Sequence, residues 1–418
     1  MGVGALEIRG GRPLQGQTRI YGAKNAALPI LAATVMVEGE CRIEDVPELE
    51  DVRVMMQILQ SLGARVERVG DAITVETREL HSTNVPPDLM KKMRSSIFLM
   101  GPLLARFGTV RVSKPGGCVI GQRPIDYHLR GMRALGGQVE EKHGYITCRA
   151  SRLFGNTVTL DFPSVGATEN LIMAAVLADG ETVIENAARE PEIVDLANFL
   201  ISCGAKIEGA GDDTIRVSGV HHLHGTHYRI IPDRIVAGTL LIAAAATKGN
   251  VTLLGADATH LGALISKLRE AGVRVTSEHD IITVECSDGC HPVDVRTEPH
   301  PGFPTDLQAP LMAMLTTAYG TSVIRENVFE ARFKHVNELL RMGAEISVDL
   351  RSAVVRGVAK LSGAVVESTD LRGGAALVIA ALMADGVTRI EGVSHIDRGY
   401  QQIERTLLEL GADVVRIN

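Results

Sequence analysis

The chain has 418 residues, of which 45% are hydrophobic but only 3% aromatic, with no Trp and a net charge of −7 at pH 7. So few rings and an acidic balance exclude a general nucleic-acid or anionic-membrane binder, although a local cluster of Arg and Lys can still hold an anionic small substrate. The length predicts two or three domains, and the core must be aliphatic.

The start, MGVGALEIRGG, lacks the basic and apolar regions of a signal peptide. The longest apolar stretch, Ala26 to Val37, contains Pro29 and is too short to span a bilayer. The cysteines at 41, 118, 148, 203, 286 and 290 are scattered. A cytosolic protein with reduced thiols is therefore expected.

Two phrases alternate along the chain. One is a polar start followed by a small-residue apolar helix: AKNAALPILAATVMVEG, MRSSIFLMGPLLARFG, VGATENLIMAAVLADG, DRIVAGTLLIAAAATKG, TDLQAPLMAMLTTAYG and LRGGAALVIAALMADG. These helices are apolar nearly all round, so they should be buried. The other phrase is SLGARVE, ALGGQVE, SCGAKIE, EAGVRVT, RMGAEIS and ELGADVV, with glycines at 63, 136, 204, 272, 343 and 411. Each glycine should end a surface helix in a left-handed turn. Alternating apolar residues follow, as in ARVERVGDAITVE, where Gly70-Asp71 should turn a strand pair. The six copies read as strand, buried helix, strand, surface helix and strand pair. Two lobes of three copies suit this pattern better than an open solenoid.

The starts of the six buried helices carry Lys24 and Asn25; Arg94; Ser164, Gly166 and Thr168; Asp233 and Arg234; Thr305 and Asp306; Asp370 and Arg372. Helix N-termini suit phosphates and carboxylates. Capping explains Asp233 and Asp370 in part. It does not explain Lys24, Arg94 or Arg372, because cations there oppose the helix dipole, and an anionic ligand would offset that cost. Within a three-fold lobe these starts should converge at one end.

The segment SKPGGCVIGQRPIDYHL (113–129) places Cys118 beside Gly116 and Gly117, five residues before Arg123. This reads as a lid loop with a reactive thiol. Cys286-x-x-x-Cys290-His291 is half of a zinc pattern, without a second ligand pair at suitable spacing. His221, His222, His224 and His227 lie between apparent strands. Both groups are expected to be loop or surface residues, with no metal.

YGAKNAALPILAA, PGGCVIGQRPIDYH, SVGATEN, ENAAREPEIVD, HPGFPTDLQAP, VFEARF and HIDRGY resemble the UDP-N-acetylglucosamine 1-carboxyvinyltransferase family over essentially the whole chain. The resemblance implies a two-lobed inside-out α/β barrel of six βαβαββ repeats. One lobe would be residues 1–21 and 233–418, and the other 22–232. The implied reaction moves enolpyruvyl from phosphoenolpyruvate to the 3′-hydroxyl of UDP-N-acetylglucosamine, the first committed step of peptidoglycan precursor synthesis. No cofactor or metal is implied, and oligomeric state is left open.

By the same resemblance, Cys118 protonates phosphoenolpyruvate or forms an adduct with it. Lys24, Arg123 and Arg398 hold its phosphate and carboxylate, and Asn25 orients the reacting centre. Asp306 takes the hydroxyl proton or positions the hydroxyl. Arg94, the run Arg123, Pro124, Ile125, Asp126 and Tyr127, the turn Pro163, Ser164, Val165 and Gly166, and Val328 grip the nucleotide sugar. Glu190, Asp233, Asp370 and Arg372 support or close the site. Phe162 stands where some members carry Lys, which removes a charge contact at that point. Two other readings remain. The shikimate 3-phosphate enolpyruvyl transferases resemble GSKS where this chain has GAKN and have no counterpart of the Cys118 loop. A catalytically silent nucleotide-sugar-binding paralogue would share the fold.

Overall fold

The computed structural model describes residues 4–114 and 125–417. The six small-residue helices form as the sequence predicts: α1 (Lys24–Ala33), α2 (Met100–Phe107), α3 (Val165–Val176), α4 (Arg234–Ala246), α5 (Gln308–Leu315) and α6 (Leu371–Met383). α4 is buried from Arg234 through Ala245, because Ala, Gly and Thr leave room for neighbours on every side. At Gly101 on α2, a Cβ would lie 2.5 Å from the Asn170 carbonyl oxygen of α3, so only glycine permits that approach.

Strands alternate buried and exposed positions, as in Glu40–Glu44 and Thr321–Arg325, and so cover the helices with one face and meet water with the other. The six phrase glycines all take positive φ, between 86° and 107°. They stop the surface helices where the sequence requires. Each complete repeat makes a four-stranded sheet. Its opening strand runs parallel to the second, and the strand pair adds antiparallel beyond it. Among the described residues the second repeat is the exception: its sheet has three strands, and its opening strand shrinks to one parallel bridge, Asn84 to Arg111.

The described chain divides into two compact units, residues 22–114 with 125–231, and residues 4–21 with 232–417. Each has its own aliphatic core. In the second unit, β1 (Ala5–Arg9) pairs with Val387–Glu391 and Asp413–Ile417, closing the last repeat's sheet. β2 (Gln15–Arg19) runs parallel to Asn250–Leu254 and opens the fourth repeat. Two N-terminal strands thus belong to this unit. The first unit is circular in the same sense: His227–Arg229, at its end, pairs parallel with Glu40–Glu44 near its beginning. Among the described residues no helix is long and apolar enough to cross a membrane.

The repeats meet their buried helices at a tight backbone contact. A Cβ at Gly219 would lie 1.7 Å from the Ala178 carbonyl oxygen, and one at Gly357 would lie 1.7 Å from that of Ala318. Gly357→Ala should therefore lower the chemical-denaturation midpoint, at a cost of about 2 kcal/mol or more. Gly262→Ala is the matched control. Its Cβ meets nothing within 4 Å and its φ is −49°, so the midpoint should hold or rise slightly.

Candidate active site

In the unit that contains Asp306, the three helix starts do converge. Asp233 caps α4, its carboxylate accepting from the Ile235 and Val236 N–H groups at 2.9 and 3.0 Å. Asp370 caps α6 in the same way, accepting from Arg372 N–H at 3.0 Å and Gly373 N–H at 2.9 Å. Between them Asp306 sits in a short 3-10 turn, Thr305–Leu307, that leads into α5.

Each oxygen of the Asp306 carboxylate takes a different guanidinium. Arg332 Nη2 donates to Oδ1 at 2.5 Å, and Arg372 Nη2 donates to Oδ2 at 2.8 Å. Both arginines are buried. Burial alone would raise the Asp306 pKa, but Arg372 and Arg332 outweigh it and hold the carboxyl far below the usual range. Arg372 also donates to the Tyr400 hydroxyl at 3.3 Å, and that hydroxyl lies 2.9 Å from Thr239 Oγ1 on α4. His335, buried beside Asp370 and Arg332, is pushed down to about 4, chiefly by desolvation, and so is neutral near pH 7.

Arg372 corrects one expectation. A cation at that helix start is offset by a protein carboxylate, so the sequence alone did not require a ligand there. The same holds for Lys24 in the other unit. It opens α1 without a side-chain cap and is 8% exposed. Its Nζ lies 3.1 Å from Asp51 Oδ2, in the first turn of the surface helix Glu50–Leu62. Asn25 follows it, half-buried. Arg94 begins a 3-10 turn, Arg94–Leu99, rather than α2 itself.

Ser164 caps α3, its Oγ accepting from the Ala167 N–H at 3.4 Å, and Pro163, Val165 and Gly166 beside it are half-buried. Thr168 is buried and accepts from the Ala188 N–H at 3.0 Å. Ile125 precedes the helix Asp126–Ala134, in which Asp126 is exposed and Tyr127 half-buried with the Arg130 guanidinium 5.8 Å from its ring centre. Phe162 is 40% exposed. Glu190 precedes the surface helix Pro191–Ser202. Burial, with the Glu192 and Glu190 carboxylates nearby, raises buried Glu169 well above the usual carboxylate range.

Val328 is half-buried and its N–H donates to Glu326 Oε1 at 2.9 Å. Arg398 ends the 3-10 turn Val393–Arg398. Cys118, Arg123 and Pro124 lie outside the described residues, as do Gly116, Gly117 and Gly121.

Several participants had no role assigned from sequence. Arg332 stood inside VFEARF, Asp51 in an ordinary surface helix, and His128 just past the nucleotide segment. The Asn170 amide donates to the Ile97 carbonyl at 3.1 Å and lies 2.9 Å from His128 Nδ1, while its oxygen accepts from Gly101 N–H at 2.8 Å. With Nδ1 accepting, neutral His128 carries its proton on Nε2, on the ring edge near Gly166.

The cysteine pair lies in a loop, as expected, but is buried there rather than at the surface. Cys286 and Cys290 are 8% and 5% exposed, because the loop after Ile281–Glu285 folds under the end of α4, and Cys290 Sγ lies 3.9 Å from the Ala245 carbonyl. The Cys290 thiol hydrogen-bonds to Cys286 and, against burial, draws it down to about 7. His221 and His222 are exposed, at the rim of a depression of about 640 Å³ lined by the C-terminal ends of α2 and α3. His224 and His227 lie within short strands rather than between them, exposed.

The family model described as EPSP synthase (3-phosphoshikimate 1-carboxyvinyltransferase) matches residues 8–407. The chain is 53% identical over 416 residues to UDP-N-acetylglucosamine 1-carboxyvinyltransferase 2 of Caldanaerobacter subterraneus, covering 99% of this chain and 100% of that one. It is 50% identical to UDP-N-acetylglucosamine 1-carboxyvinyltransferase of a Nostoc species, covering 99% and 93%. Among solved structures, the enolpyruvyl transferase NikO from Streptomyces tendae superposes with a TM-score of 0.90 at 27% identity, covering 100% and 99%. EPSP synthase from Acinetobacter baumannii, at TM-score 0.78 and 18% identity over the full length of both chains, shares the fold. The chain therefore belongs to the EPSP synthase family of enolpyruvyl transferases, among the UDP-N-acetylglucosamine 1-carboxyvinyltransferases.

Proposed function

We infer that this protein transfers the enolpyruvyl group of phosphoenolpyruvate to the 3′-hydroxyl of UDP-N-acetylglucosamine with release of phosphate, the first committed step of peptidoglycan precursor synthesis. The observation that carries the reading is 53% identity, over essentially both full lengths, to a protein named for that reaction. The doubly held Asp306 supports it chemically, since an ionised carboxylate fixed by two cations suits a hydroxyl acceptor. The two compact units are the two lobes of the enzyme, and the protein works in the cytosol.

The reaction adds the hydroxyl oxygen to C2 of phosphoenolpyruvate and a proton to C3. The tetrahedral intermediate then loses the C3 proton and the C2–O bond to phosphate. Protons and phosphate account for every bond change, so no redox partner is needed. Cys118 supplies the proton to C3 and can instead bond to C2. A free thiol, with pKa about 8.5, holds its proton near neutrality, and neighbouring cations ease its loss. Lys24, Arg123 and Arg398 hold the phosphate and carboxylate, and Asn25 orients the reacting carbon.

Asp306 positions the 3′-hydroxyl rather than removing its proton. Its depressed pKa makes it a poor base in the described arrangement. Arg94, the 123–127 segment, the Pro163–Gly166 turn and Val328 grip the nucleotide sugar. Glu190, Asp233, Asp370 and Arg372 hold those groups in place. The Val328 N–H is already committed to Glu326, so its carbonyl is the group left for the ligand.

A phosphate-release assay with each acceptor in turn tests the reading. Turnover should require UDP-N-acetylglucosamine. Release with shikimate 3-phosphate instead would favour the sister reaction, and binding of both substrates without release would favour a silent binder. Cys118→Ser should cut turnover by at least a hundredfold, in line with the roughly 10²–10⁴-fold typical of general acid catalysis, with the denaturation midpoint unchanged. An epoxide mimic of phosphoenolpyruvate should alkylate Cys118 alone by mass spectrometry, because the cysteines at 41, 148, 203, 286 and 290 are all buried.

The pH profile follows from Asp306. A carboxyl whose folded pKa is depressed stabilises the fold above its unfolded value, about 3.9, and loses that only as pH falls through the lower folded value. Asp306 therefore stays ionised throughout the working range. Asp306→Asn should lower kcat evenly between about pH 5 and 8, leaving the limbs where they are. A limb that vanishes in the variant would restore Asp306 as the base.

A further inference from the structure

Glu326 is 1% exposed and follows the strand Thr321–Arg325. Four donors converge on its carboxylate. Oε1 accepts from the Val328 N–H at 2.9 Å, the Phe329 N–H at 3.0 Å and the Thr297 hydroxyl at 2.8 Å. Oε2 accepts from the Thr305 hydroxyl at 2.9 Å. One side chain thus fixes the turn that carries Val328 and, at its other oxygen, the residue next to Asp306.

The direction of the Thr305 bond is set by a second contact. Arg332 Nη1 lies 2.7 Å from Thr305 Oγ1 and can only donate. The Thr305 hydrogen is therefore committed to Glu326. The same guanidinium reaches Asp306 through its other terminal nitrogen. The path runs Val328 turn, Glu326, Thr305, Arg332, Asp306, and every link is a hydrogen bond inside one unit. Thr297 braces it from the side, accepting from the Asn327 N–H at 2.9 Å while donating to Glu326.

We propose that Glu326, acting through Thr305, is a positioning residue for the acceptor sugar: it holds the Val328 turn and the Arg332–Asp306 pair in one fixed relation. This rests on the reading of Val328 and Asp306 as acceptor contacts. The pair recognises a hydroxyl-bearing nucleotide sugar from two points, and Glu326 sets the spacing between them. It touches no reacting atom.

Thr305→Val keeps the volume but removes the hydroxyl, leaving Oε2 without its donor and Arg332 Nη1 without its acceptor. Thr305→Ser keeps the hydroxyl. Glu326→Gln keeps one acceptor oxygen, which the three donors at Oε1 demand, and so turns an N–H₂ group toward a Thr305 oxygen already facing Arg332. Steady-state kinetics of all three, with denaturation midpoints as a folding control, decide the matter. Thr305→Val and Glu326→Gln should raise the KM for UDP-N-acetylglucosamine and lower kcat, together costing about tenfold or more in kcat/KM. The KM for phosphoenolpyruvate should stay within about twofold, and Thr305→Ser should match the wild type.

A Thr305→Val variant with wild-type acceptor KM and kcat overturns the proposal. So does an equal rise in both KM values, or a Thr305→Ser variant as impaired as Thr305→Val, because either marks a general structural loss. Wild-type protein that releases no phosphate with UDP-N-acetylglucosamine overturns the proposed reaction and this role with it.

Discussion

A carboxylate held between two buried guanidiniums governs the unit that contains Asp306. Taking each ion out of water costs several kcal/mol, and removing one partner from such a group leaves an uncompensated charge. Arg372 has a further handicap, since it lies in the first turn of α6, where the helix dipole disfavours a cation. Asp306 offsets both costs for Arg372 and the burial of Arg332 as well. The surrounding polar groups are then constrained in turn. Asp370 serves the backbone of α6, Tyr400 takes a remaining Arg372 donor, and Thr305 takes one from Arg332. A carboxylate so fully engaged is a rigid acceptor at constant charge, which suits holding a hydroxyl in place better than exchanging a proton.

The other unit meets the same architectural problem with different chemistry. A buried cation at one of its helix starts, Lys24, is matched by Asp51. Its α3 start uses neutral groups: the Ser164 cap, the Thr168 hydroxyl and the Asn170 amide, which joins α2, the 3-10 turn before it and His128. Glu169, buried with Glu192 and Glu190 nearby, is raised well above the usual carboxylate range, chiefly by desolvation. Like repeats have thus been given unlike electrostatics. A backbone scaffold that tolerates many side chains at its helix starts makes that possible.

What the sequence revealed follows from the range of each signal. The six glycine phrases and the small-residue helices are local patterns with one physical cause apiece, a left-handed turn and an all-round burial, and both were legible. The Asp233, Asp370 and Ser164 caps are local as well. Asp306 and Arg332 lie 26 residues apart, and Asp306 and Arg372 lie 66 apart, on different repeats. Nothing in composition says which of many arginines will meet which carboxylate, so the counter-ion of Arg372 was invisible and a ligand was invoked in its place. Cys286 and Cys290 lie in a loop, as expected, but that loop packs beneath α4, and only the tertiary path reveals the burial.

The chain path adds a constraint that no single repeat contains. The chain leaves one unit after Tyr21 and returns at Pro232, so the other unit is spliced between the opening strand of the fourth repeat and its buried helix. The point of return is closed locally: the Asp233 N–H donates to the Tyr21 carbonyl at 2.9 Å, while the Asp233 side chain caps α4. Tyr21 is anchored in turn, its hydroxyl accepting from the Gln401 N–H at 3.0 Å beside Tyr400. The start of α4 is therefore placed by residues from the beginning, the middle and the end of the chain. Closing a loop of that length costs entropy that grows only slowly with its size, so a few buried hydrogen bonds suffice to hold it. The arrangement weighs on folding rate, because contacts so distant in sequence require long loops to close before α4 gains them. The Asp306 group, reached through Tyr400 and Thr239, inherits that dependence: the part of this unit with the most exacting geometry rests on the contacts of longest range.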